Sequence, residues 1–162
     1  MTPGCFAARM AIAALACATS IAFAQQQTTH EPLNAFPRSP LAIQSAGQRH
    51  EFEVWIADTP SRREQGLMYV ATLKPMTGML FVFPQPRAVS MWMKNTRISL
   101  DMLFVSAEGR VIRIAPKAKP ESLATISSMG LVTGVVEIAG GEAQRLGIRT
   151  GDRVIHPAFG AT

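Results

Sequence analysis

Side chains able to do chemistry concentrate in one stretch, "SMWMKNTRISLDMLFV", Ser90 to Val105. Lys94 and Asn95 offer hydrogen-bond donors, Thr96 and Asp101 offer acceptors, and Trp92 offers a stacking plane. Arg63, in "SRREQG", can add a guanidinium from a neighbouring element. Such a set suits the binding of a sugar, a peptide or a protein partner. The competing structural reading is that Asp101 pairs with Lys94 or Arg63 to pin the fold. A hydrolase-like alternative uses Asp101 with Lys94, whose amine could serve as a base if burial lowered its pKa. A third reading takes Met91 and Met93, either side of Trp92, as thioether ligands for Cu(I). It requires both methionines to be accessible; otherwise they are core filler.

No recognised catalytic constellation accompanies these residues. Beyond the first 24 positions the histidines are His30, His50 and His156, none in a metal-protease spacing, and neither G-x-S-x-G nor a phosphate loop occurs. No catalytic residue, metal or cofactor is therefore assigned, and binding is preferred to catalysis.

Asp101 raises a question, because it interrupts the apolar run Leu100–Val105. If Asn95-Thr96 is the two-residue turn of a hairpin, cross-strand partners share a face. Met91, Met93, Ile98, Leu100, Met102 and Phe104 then form an apolar face. Ser90, Trp92, Lys94, Arg97, Ser99, Asp101 and Leu103 form the other, polar around one large aromatic. In this register Asp101 avoids the core and stands on the same side as Lys94 and Arg97.

The elements that position these residues read mainly as strands. Leu41–Ser45 and His50–Ala57 flank a Gly47 turn, and the second run alternates apolar with polar. Thr59 is a natural N-cap, Pro60 fits the first helical position, and Gly66 can end a short helix over 60–65. Further strands are expected at 79–83, 88–93, 100–106, 111–115, 132–138 and 153–156. Pro84–Arg87 is expected to turn, and the polar connection after Pro120 to hold a helical turn. A short helix is expected in "GGEAQRLG". The pattern is a mainly β (α+β) fold, a small single-domain barrel or sandwich with two short helices.

The chain of 162 residues opens like an export signal. Arg9 supplies a positive region, Met10 to Ile21 an apolar core too short for a stable membrane span, and Ala22-Phe23-Ala24 a cleavage site. Removing residues 1–24 would leave 138, take both cysteines (Cys5 and Cys17), and reduce the net charge from +5 to +4 by loss of Arg9. Cysteine catalysis and thiolate metal sites are then excluded. The remaining basic residues are dispersed, which argues against nucleic acid as a partner. Residues 25–40, "QQQTTHEPLNAFPRSP", read as a disordered linker, 41–157 as the domain and 158–162 as a tail. The expected compartment is periplasmic or secreted, the partner a small ligand or an envelope protein, and the state a monomer or weak oligomer.

The segments "GLM" (66–68), "GMLFVF" (78–83), "MWMKNTRISLDMLFV" (91–105), "GRVIRI" (109–114), "VVEIAGG" (135–141) and "LGIRTGDRV" (146–154) occur in order. Together they resemble the bacterial and archaeal family called domain of unknown function 192. The resemblance implies one compact, mainly β domain, often exported, and supplies no reaction. By its pattern Thr59, Arg63 and Gly66 match the segment around G-L-M, and Trp92, Lys94, Asn95, Thr96 and Asp101 the central block. Ser99 stands where the family commonly has Pro.

Overall fold

The computed structural model describes Met1 and residues 30–160. Among them are nine strands and two short α-helices, preceded by a single 3-10 turn at Leu33–Ala35. In chain order these are β1 (Arg38–Ser45), β2 (Gln48–Ala57), α1 (Pro60–Gln65), β3 (Thr77–Arg87), β4 (Ser90–Met91) and β5 (Leu100–Val105), then β6 (Val111–Ala118), β7 (Ile126–Ser127), β8 (Val132–Ala139), α2 (Glu142–Arg145) and β9 (Arg153–Ile155). The fold is mainly β, as the pattern of short runs and turns implies. The expected signal sequence, with Cys5 and Cys17, lies outside the described residues apart from Met1.

Seven strands form one sheet in the order β6-β5-β8-β3-β2-β1-β9, and β4 pairs with β7 in a separate ribbon. The pairings are antiparallel except β2 with β3, which run parallel and are joined through α1. The sheet curls until its ends meet at one rim. There Val111 N–H donates to Asp152 C=O at 2.9 Å, and Val154 N–H to Gly109 C=O at 2.8 Å. The result is a half-barrel.

Both faces of the central strands are buried. One packs the barrel interior with Leu41, Phe52, Val54, Leu80, Leu103 and Val136. The other packs Leu67, Met79, Phe81, Met93, Met102 and Phe104 beneath α1 and the connections around β4. All six residues of β5 are buried. The alternation expected there is correct, with Leu100, Met102 and Phe104 on one face and Leu103 and Val105 on the other. The second face, on which Asp101 was expected to lie away from the core, is buried as well, because sheet curvature closes a second core over it.

Local capping chemistry sets α1. Thr59 Oγ1 accepts from Arg62 N–H at 3.2 Å, Pro60 opens the helix, and Gly66 ends it at φ 50°. A Cβ at Gly66 would stand 3.0 Å from the Phe81 ring, so a side chain there meets both strain and crowding.

Three expectations fail. The hairpin across Ser90–Val105 does not form: β4 pairs with β7, and β5 pairs with β6 and β8. The turn is centred one residue earlier, on Lys94-Asn95, with Asn95 at φ 54° and Thr96 N–H donating to Met93 C=O at 3.1 Å. β7 replaces the helical turn expected after Pro120, and β3 continues through the expected turn at 84–87, with a shift of its register against β8 between Val82 and Arg87.

The linker expected over 25–40 is structured in its described part. Phe36 is buried, Arg38–Pro40 belong to β1, and Glu31 clamps α1. The Glu31 carboxylate accepts from Arg62 Nε at 3.1 Å and Nη2 at 3.0 Å, while its backbone N–H and C=O both bond the Gln65 side chain. The tail expected from 158 also packs, for Phe159 joins the barrel core.

Candidate functional site

Asp101 is wholly buried, but not among charges. Its Oδ1 accepts from the backbone N–H of Lys117 at 2.7 Å and of Gly141 at 2.8 Å; its Oδ2 accepts from Ala143 N–H at 2.9 Å. The carboxylate thus satisfies three donors where β6 bulges and α2 begins, with Gly141 at φ 90°. It does not share a face with Lys94 and Arg97, and it lines neither part of the cleft that Lys94 lines. Asp101 leaves the candidate site on this ground, and so does the hydrolase-like pairing with Lys94. The carboxylate interrupts an apolar strand in order to hold the loop between β8 and α2.

The other five candidates converge. A cleft of about 190 Å³ opens between α1 and the chain from β4 to Thr96, and is lined by Arg63, Trp92, Lys94 and Thr96. A second hollow of about 250 Å³ adjoins it, shares Trp92 and Lys94, and adds Asn95. Trp92 is 45 % exposed, and the Lys94 ammonium lies 5.4 Å from its ring centroid. Neither the Lys94 ammonium nor the Trp92 indole meets a hydrogen-bonding side chain among the described residues.

Three of the five also hold the cleft together. Arg63 Nη1 donates to Val82 C=O at 2.9 Å and to Asp58 C=O, tying α1 to β3, and its guanidinium faces the Phe83 ring at 5.6 Å. Asn95 Nδ2 donates to the Tyr69 hydroxyl at 2.9 Å, and Tyr69 N–H donates to Asn95 C=O at 2.9 Å, which joins the turn to the loop after α1. Thr96 is buried, with Oγ1 donating to Lys94 C=O at 3.2 Å. Its own C=O accepts from Glu121 N–H at 3.0 Å.

A residue that sequence reasoning missed lies at the base of the cleft. Glu137, on β8, is 3 % exposed and lines the cleft with Phe81 and Met91. Its neighbours across the sheet are Met79 on β3 and Met102 on β5. No donor among the described residues bonds its carboxyl. Burial, uncompensated by any hydrogen bond or charge, pushes its pKa up to about 8. A carboxyl raised this far favours the uncharged acid at neutral pH, and the acid form carries an O–H donor. The available signal was the one read at Asp101: a lone carboxylate in the apolar run Val135-Val136-Glu137-Ile138.

The Cu(I) reading required Met91 and Met93 to be accessible. Met93 is fully buried in the outer core, and Met91 packs partly against it. Burial turns Met93 into core filler, and the copper site fails.

The family model DUF192, "Uncharacterized ACR", matches residues 41–156. Two solved structures are similar. A candidate transcription regulator from Sinorhizobium meliloti 1021 is 41 % identical with a TM-score of 0.75, over 76 % of this chain and 97 % of that one. A protein of unknown function from Novosphingobium aromaticivorans DSM 12444 is 34 % identical with a TM-score of 0.75, over 79 % and 91 %. No curated protein matches.

Proposed function

We propose that this protein, which belongs to the domain of unknown function 192 family, is an exported binding module of the cell envelope that holds a small polar ligand in the cleft beside α1. The observation that carries the reading is the juxtaposition in the cleft. An exposed indole with a free ammonium over it stands above a buried carboxyl that has no partner. Isolated exposed aromatics and isolated surface lysines are ordinary. A carboxyl that has no partner among the described residues, on a residue only 3 % exposed, and that opens onto the same hollow is not, because its hydrogen bonds are left to whatever occupies the hollow.

The volume sets the size of the ligand. Neither hollow, about 190 Å³ and about 250 Å³, reaches alone the roughly 300–1,000 Å³ of pockets for drug-sized molecules, and joined they lie at its low end, so a small metabolite-sized ligand fits better than a peptide. Export rests on the run from Arg9 to Ala24, and places the module in the periplasm or outside the cell.

Native mass spectrometry of the chain purified gently from its own envelope tests both parts. The expected protein begins at Gln25 and carries an added small-molecule mass that Trp92→Ala and Lys94→Ala lose. A protein that retains residues 1–24 counts against export. A bare mass that persists after addition of an envelope small-molecule extract counts against the binding reading.

A further inference from the structure

We propose that the cleft selects small organic anions, with the ligand oxyanion received at the floor by the carboxyl O–H of Glu137 and balanced at the mouth by the Lys94 ammonium. The proposal rests on the cleft being a binding site and adds the class of ligand.

Three observations favour an anion. First, no group among the described residues hydrogen-bonds the Glu137 carboxyl, and the β3 residue that lines the cleft with it is the apolar Phe81. A hydrogen bond from an acid to an oxyanion is charge-assisted, and among the stronger ones a buried site can form. Second, the charges around the cleft are unequal. From α1 come Arg63 and Glu64, from the chain after β4 comes Lys94, and β3 and β5 present only apolar groups to Glu137. Arg87 lines the adjoining end of the same groove beside Arg63. With the acid protonated, cations outnumber carboxylates along the whole groove.

Third, neither Lys94 nor Arg63 pairs with Glu137, so the space between floor and mouth remains for a ligand to bridge. A cationic ligand would have to pass Lys94 and Arg63 and then expel the Glu137 proton. A neutral alcohol would leave the ammonium at the mouth without a counter-charge.

The test uses butyrate, n-butylamine and 1-butanol as probes. The Glu137 side-chain carbon and both tryptophan indoles are followed by NMR from pH 5 to pH 9.5. Butyrate should shift the Trp92 indole and raise the Glu137 titration midpoint. By linkage its affinity should fall about ten-fold or more between pH 6.5 and pH 9.5. Glu137→Gln keeps a donor and should bind butyrate with no such fall, while Lys94→Gln should weaken binding at every pH. Unchanged amide spectra outside the cleft would show that both variants fold.

n-Butylamine that binds and lowers the Glu137 midpoint would overturn the anion assignment and leave a binding cleft. Butyrate that shifts Trp92 while the Glu137 titration stays still would overturn the role of Glu137 and leave the cleft intact. No response of Trp92 or Glu137 to any probe would count against both.

Discussion

Two lone carboxylates in adjacent central strands do opposite things. Asp101 gives both oxygens to backbone N–H groups, whereas Glu137 has no partner and opens onto the cleft. Asp101→Ala would orphan three backbone donors, one buried and two part-buried, at roughly 1–3 kcal/mol for the buried one and less for the others, so stability to denaturant should fall by a few kcal/mol. Lys94→Ala removes an exposed side chain and should leave the unfolding midpoint nearly unchanged. Equal losses in the two variants would restore the ion pair that the structure removes. For Glu137 the sign follows from its raised pKa of about 8 against an ordinary 4.5. Below pH 4.5 both states hold the proton; between pH 4.5 and 8 the unfolded chain releases it while the folded chain keeps it. Stability must therefore fall with rising pH across that window, by at most about 1.4 kcal/mol per pH unit. Glu137→Gln should abolish that share of the slope, as paired urea titrations at pH 5 and pH 8 would reveal. Both acids were visible in the sequence as interruptions of apolar runs. Their partners were not, because the N–H groups that hold Asp101 come from 16, 40 and 42 positions away.

At the scale of elements, what was legible was what local chemistry decides. Thr59, Pro60 and Gly66 specify α1 within eight residues, and the structure places cap, first turn and stop where the residues imply. Thr59→Ala should cost about 1 kcal/mol. Gly66→Ala should cost more, since φ 50° disfavours any Cβ and the Phe81 ring stands 3.0 Å from where it would be. Thermal unfolding of the two variants would check the order. The hairpin at Ser90–Val105 was misread because alternation reports faces but not partners. β4 finds β7 beyond two intervening strands, and β5 enters the sheet between β6 and β8. Five of the six candidate residues still reach one cleft, because Arg63 and the 92–96 turn lie on facing sides of the same outer layer.

For the whole molecule, composition and turn spacing made a small β domain legible, but not the curl that buries both faces of its sheet. That curl needs covering segments drawn from across the chain, including one that polarity and prolines made look like a linker. Phe36 is 3 % exposed and the Arg62 guanidinium stacks on its ring at 5.4 Å. Phe36→Ala should therefore lower stability by about 3–5 kcal/mol in a denaturant titration, where a linker residue would cost almost nothing. The covering layer is also what forms the cleft: α1 supplies one wall, the turn after β4 the other, and β8 the acidic floor. The two tryptophans allow that arrangement to be tested within one spectrum, since Trp92 lines the cleft while Trp55, under Arg38, does not. The decisive measurement is the pair of indole N–H signals during titration with a small-molecule extract of the source cells. A ligand cleft predicts a saturable shift of the Trp92 signal, with Trp55 unmoved and the response lost in Lys94→Gln. Two indole signals that stay fixed throughout would contradict it.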